Sequence, residues 1–187
     1  MVQSRTSRQS PQNPVAHGTD DDPRLAAEPA AALAAARRRA VRDGDRQIDT
    51  AHLLHSLLEQ DPQVRAAFDG GPQLARLLGY LVQRSIGYGL RWQSGVEDSG
   101  TLPVVTAVEG LSPLAAAALE QACVRAALRD GAPARGVDLL AAIVADPQAR
   151  AVEVLTRAAV DVQGLRARIE DGPRDLRARA GGAEGAC

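Results

Sequence analysis

The sequence predicts an all-α protein, a tandem pseudo-symmetric pair of four-helix repeats with about eight helices in all. Three observations predict it. The chain of 187 residues is 45% hydrophobic but only 2% aromatic, and its apolar residues are mostly Ala, Leu and Val. Ala and Leu are the strongest helix formers, whereas strands draw on β-branched and aromatic side chains. Apolar residues recur at helical spacing, and one set of landmarks occurs twice in the same order. Arg42-Asp43-Gly44 returns as Arg129-Asp130-Gly131, Leu53-Leu54 as Leu139-Leu140, and Asp61-Pro62 as Asp146-Pro147. The offsets are 129 − 42 = 87, 139 − 53 = 86 and 146 − 61 = 85, so two small deletions in the second copy account for the drift.

The elements follow in order. The first helix places Leu33, Ala36, Ala40 and Val41 on one face and ends at Gly44, where a left-handed residue closes a helix without a Cβ penalty. Thr50 is expected to cap the second helix, which carries Leu53-Leu54 and Leu57-Leu58. Asp61-Pro62 caps and starts a third helix, and Leu74, Leu77, Leu78, Leu81 and Val82 define a fourth. In the second copy Ser112-Pro113 starts a helix with Leu119, Ala122, Cys123 and Ala126 on one face, stopped at Gly131. Leu139-Leu140 and Ile143-Val144 mark its second helix, Asp146-Pro147 the start of the third, and Leu165 and Ile169 the fourth. The expected boundaries are a tail at 1–23, a double-repeat domain at 24–171 and a tail at 172–187. Within the domain, repeat one is 25–85, a linker 86–110 and repeat two 111–171. The linker holds five glycines together with Tyr88 and Trp92.

Composition excludes several function classes. With 22 basic and 23 acidic residues the net charge is −1, which provides no electrostatic footprint for nucleic acid. No apolar run reaches the ~18 residues of a membrane span, and no signal-peptide core is present, so the expected location is the cytoplasm. Cys123 and Cys187 have neither disulfide nor zinc spacing. His52 and His55 lie three apart on a helix beside Asp49 but lack a third strong ligand, so no metal is expected. A Gly-x-Ser-x-Gly elbow is absent, and no catalytic residue or cofactor is expected. All basic residues are Arg; without Lys the chain cannot form a P-loop, and no ATP is expected.

The repeat resembles the amino-terminal Clp R domain of Clp unfoldases, nearest the ClpC type, over about residues 25–171. Each family repeat has a helix ending in Leu-Gly-His and then Ile-Gly-Thr-Glu-His before a Leu-rich helix. Here the first copy reads Asp43-Gly44-Asp45 and Ile48-Asp49-Thr50-Ala51-His52-Leu53-Leu54. The family's second repeat opens with Thr-Pro; this chain has Ser112-Pro113. The resemblance implies a non-catalytic protein-binding domain whose partners are Clp protease components, adaptors or substrates; the absence of Lys departs from the family, whose ATPase modules need a P-loop, and makes a free-standing domain the expectation. In some ClpC-type domains the motif Glu helps bind phosphorylated arginine. Its position is Ala51 in the first copy, and in the second Val137, or Asp138 with the gap placed differently. The candidate partner-binding residues are therefore Thr50, Ala51, His52, Val137 and Asp138, with Tyr88 and Trp92 as aromatic anchors. Arg37-Arg38-Arg39 with Arg42 and Arg46 reads first as a solvated face and second as a docking patch for an acidic partner. Two other readings stay open: a hydrolase or peptidase-associated enzyme with an unrecognised site, and a protein that sequesters small molecules aimed at Clp unfoldases.

Overall fold

The structure is a computed structural model and describes residues 22–85, 97 and 110–181. Every regular element among the described residues is an α-helix: α1 (Ala27–Asp43), α2 (Thr50–Gln60), α3 (Pro62–Ala66), α4 (Gly71–Ser85), α5 (Pro113–Arg129), α6 (Gly136–Ala145), α7 (Arg150–Arg157) and α8 (Val162–Gly181). None of these helices is long and apolar enough to cross a membrane.

The helix ends show local causes. Gly44 takes φ 73° after α1, and the Asp45 N–H closes the last turn on the Ala40 carbonyl. Gly131 takes φ 70° after α5, one residue past the Asp130 cap. Pro62 and Pro113 occupy first-turn positions, with Asp61 Oδ1 accepting the Gln63 N–H (2.7 Å) and Ser112 Oγ the Ala115 N–H (3.1 Å).

Several boundaries differ from the sequence reading. Asp49, not Thr50, caps α2: its Oδ1 accepts the His52 N–H at 3.0 Å while His52 Nδ1 accepts the Asp49 N–H at 3.1 Å. The carboxylate and the imidazole satisfy each other's backbone donors, a reciprocal box that leaves Thr50 inside the first turn. Asp146-Pro147 does not start α7. Asp146 Oδ1 accepts the Gln148 N–H (2.8 Å) and its carbonyl the Ala149 N–H (3.2 Å), which makes a turn, and the helix begins at Arg150. Val41, placed by periodicity on one face with Leu33, Ala36 and Ala40, is 76% exposed, and Val82 of the fourth helix is 49% exposed. Residues 172–181, assigned to a tail, continue α8.

The most deeply buried large side chains are Leu33 of α1, Leu53, Leu54, Leu57 and Leu58 of α2, Leu77 and Leu81 of α4, Leu139, Leu140 and Ile143 of α6, Leu155 of α7 and Leu165 of α8. The Leu doublets make α2 and α6 apolar on most sides, which is why both lie inside and touch each other. α1 lies against α2 and α5 against α6. The short helices pack crosswise: α3 against α6, and α7 against α2.

Two isolated parallel bridges tie the segments that precede these helices. Ala134 N–H bonds the Arg24 carbonyl (2.7 Å) and Ala26 N–H the Ala134 carbonyl (2.9 Å). Ile48 N–H bonds the Gly110 carbonyl (2.5 Å) and Ser112 N–H the Ile48 carbonyl (2.9 Å).

Candidate functional site

Nine polar or charged residues among those described are buried, and five of them, Asp49, Thr50, His52, Glu97 and Ser112, gather where α2, α5 and α7 begin. A helix start presents unpaired N–H groups and the positive end of the helix dipole, so three starts at one place form a strong acceptor-seeking pocket. The Glu97 side chain fills it. Glu97 is 4% exposed. Its Oε2 accepts the Thr50 N–H at 2.9 Å and the Ser112 hydroxyl at 2.6 Å. Its Oε1 accepts the Arg150 N–H at 2.6 Å and the Thr50 hydroxyl. Four donors on two carboxylate oxygens use its full acceptor capacity.

The two hydroxyls serve both neighbours. Ser112 Oγ donates to Glu97 and accepts from Ala115 N–H; Thr50 Oγ1 donates to Glu97 and accepts from Ala151 N–H at 3.1 Å. The latter bonds explain why α7 has no side-chain cap of its own. Its first two amides are taken by Glu97 and Thr50, residues 53 and 101 positions away. Arg150 closes the cluster with its guanidinium, Nη1 lying 3.0 Å from Asp49 Oδ2. A carboxylate this buried is sustained by charge-assisted bonds of this kind. His52 Nδ1 faces the Asp49 N–H at 3.1 Å and the Asp49 Oδ1 at 2.8 Å, while Asp45 Oδ2 stands 3.0 Å from Nε2, outside hydrogen-bonding geometry.

The start of α6 is filled differently. Asp61 caps α3, and its Oδ2 lies where a Cβ on Gly136 would stand, 2.0 Å from that position. A side chain there would require the Asp61 carboxylate to shift. Val137 is half-buried, and Asp138 is 3% exposed, accepting the Arg135 N–H at 2.8 Å and bonded by Arg129 Nη1. Asp138 thus sits three residues after its cap, as His52 does, and Val137 matches Ala51.

Of the sequence-predicted candidates, Thr50 belongs to the Glu97 cluster directly and His52 borders it through Asp49. Ala51 is wholly buried, and Val137 and Asp138 stand at the other helix start. Tyr88 and Trp92 lie outside the described residues. The basic run is partly neutralised: Arg39 pairs with Glu59 at 2.7 Å and Arg42 with Asp43 at 3.1 Å. Burial pushes the Cys123 thiol up from its ordinary pKa, which disfavours the thiolate that would react. No group of three His, Cys, Asp or Glu among the described residues is arranged to hold a metal. A shallow cleft between α5 and α6 reaches Thr50 past Leu114, Ala118 and Ile143, with room for about one water.

Sequence reasoning missed Glu97. It lies in the Gly-rich segment 86–110 without periodicity or a motif, and its partners are 15 to 53 residues away. The one sequence trace is the absence of an acid at Ala51 beside a helix start that attracts one.

No family model matches this chain, and no curated protein matches it either.

Proposed function

We propose that this chain is a non-catalytic protein-binding domain, built as two pseudo-symmetric four-helix repeats in the manner of the Clp unfoldase amino-terminal domain. The observation that carries the reading is the pair of crossed bridges. Arg24, Ala26 and Ile48 become Gly110, Ser112 and Ala134 on adding 86, and the hydrogen bonds of one bridge map onto those of the other. The first helices of the two halves, α1 and α5, are each 17 residues long, and the second, α2 and α6, are 11 and 10. Crosswise packing of α3 on α6 and α7 on α2 supports the same two-fold relation.

The chemistry of the buried cluster favours binding over catalysis. Both hydroxyls are held between a carboxylate and a helix amide, which is a capping arrangement. Partners of the Clp class, a protease component, an adaptor or a substrate, would meet the outer helix faces. The first copy is a poor receiver of phosphorylated arginine in this state: Ala51 stands at the Glu position, and the place a phosphate would take between the helix starts holds Glu97. The test is affinity capture with the full chain, cross-linked in extract of its source cells. Recovery of a Clp subunit, adaptor or degradation substrate, reproduced with purified components, is the expected outcome. Capture of none of these contradicts the proposal.

A further inference from the structure

We propose that the C-terminal end of α1 is a docking surface for an acidic segment of a partner protein. That segment sets an apolar side chain against Val41 and carboxylates against Arg38, Arg42 and Arg46. The inference rests on the protein-binding reading above and adds where the partner sits and what its chemistry is.

Val41 is 76% exposed, and Arg38 lies one helical turn before it and Arg42, so the three side chains form one exposed patch on α1. Arg46, also exposed, follows just past the helix end. Arginine suits such a surface because its guanidinium sheds water readily and grips a carboxylate with two parallel bonds. Charge decides the partner. Arg39 is taken up by Glu59, and Asp45 lies against His52. Arg42 meets Asp43 at 3.1 Å, but the Asp43 side chain is 8% exposed and that of Arg42 63%, so the pair turns its positive member outward. The end of α5 supplies the contrast. It too exposes an aliphatic side chain, Leu128, beside Arg125 and Arg129. There the guanidinium groups are neutralised within the fold. Arg125 pairs with Glu170 at 2.7 Å and Arg129 with Asp130 at 3.1 Å, and both approach the buried Asp138. In the first half His52 occupies the position of Asp138, since 138 − 52 = 86, so no buried carboxylate stands there to draw arginines inward. In a chain of net charge −1, positive charge is thus left over for a partner at the end of α1 and not at the end of α5.

The test places a photo-cross-linking amino acid, p-benzoylphenylalanine, in the full-length chain in its source cells, either at Val41 or at Leu128. From Val41 the expected adduct is a protein joined through a segment richer in Asp and Glu than in Lys and Arg. That segment, synthesised as a peptide, should bind the purified wild type, and binding should weaken as salt rises. The double variant Arg38→Glu with Arg46→Glu should bind it at least about tenfold more weakly, whereas Arg76→Glu, at an exposed arginine of α4, should bind it like wild type. If the double Glu variant does not fold, Arg38→Gln with Arg46→Gln takes its place, with a smaller loss in the same direction. A neutral or basic segment at Val41, a nucleic-acid or lipid adduct, no adduct, the same adduct in equal yield from Leu128, or equal affinity of the variants overturns the proposal. Its failure is separable from that of the reading beneath it. An acidic segment from a protein outside the Clp system keeps this surface and removes that reading; a Clp partner captured with nothing joined at Val41 does the reverse.

Discussion

His55 is 3% exposed on α2, with Glu59 on the same helix 3.4 Å from its Nε2 and Arg39 and Arg42 approaching from α1. Burial, reinforced by the two guanidinium groups, lowers its pKa from 6.5 to about 4. The imidazole is therefore neutral in the fold across the physiological range. The unfolded chain takes up the proton first as pH falls. The stability linked to this group is complete above pH 6.5 and drains away as pH drops from 6.5 toward about 4. The difference between the two protonation states amounts to about 3 kcal/mol. Denaturant titrations at pH 7 and pH 4 should show a larger loss for wild type than for His55→Gln, by up to that amount; parallel losses would contradict it. The capping residues illustrate how far sequence alone reaches at this scale. Ser112, Asp61 and Gly44 are legible because each acts on amides or carbonyls within five residues. Thr50 misleads because Asp49 and Thr50 are both good caps. The choice falls to Asp49 once His52 returns its bond and Glu97 takes the Thr50 amide and hydroxyl.

At the scale of elements, α6 starts against Asp61 with no space for a side chain at Gly136. Asp61 cannot swing aside without releasing the Gln63 and Val64 amides at the start of α3. Gly136→Ala should therefore lower stability by roughly 1–3 kcal/mol despite alanine's higher helix propensity, through overpacking and loss of the α3 cap. An unchanged or raised midpoint in chemical denaturation would show that the contact yields. The helix-rich class, the Leu doublets and the starts of α3 and α5 follow from composition and period. The start of α7 does not, because the Asp146-Pro147 pair that reads as a helix start makes a turn and the real cap is borrowed from Glu97 and Thr50. Val41 shows the limit of periodicity: it follows Ala40 on the wheel, yet the contact with α2 needs only the narrow Ala face.

For the whole molecule, one carboxylate from outside the regular elements links the start of α2 to the starts of α5 and α7 and so joins the first four helices to the last four. That link is illegible in sequence because nothing local marks a residue whose bonds are all long-range. The same placement gives α7 its cap and leaves the junction chemically complete. Loss of Glu97 should thus act on both halves together. Amide hydrogen exchange on wild type and Glu97→Ala tests this most directly. First-turn amides without a cap ordinarily exchange fast. The Thr50 and Arg150 amides of wild type should instead be protected like those of the α2 and α6 interior, and Glu97→Ala should reduce their protection at least about tenfold. Fast exchange at Thr50 and Arg150 in wild type, or protection unaltered in the variant, would contradict the account.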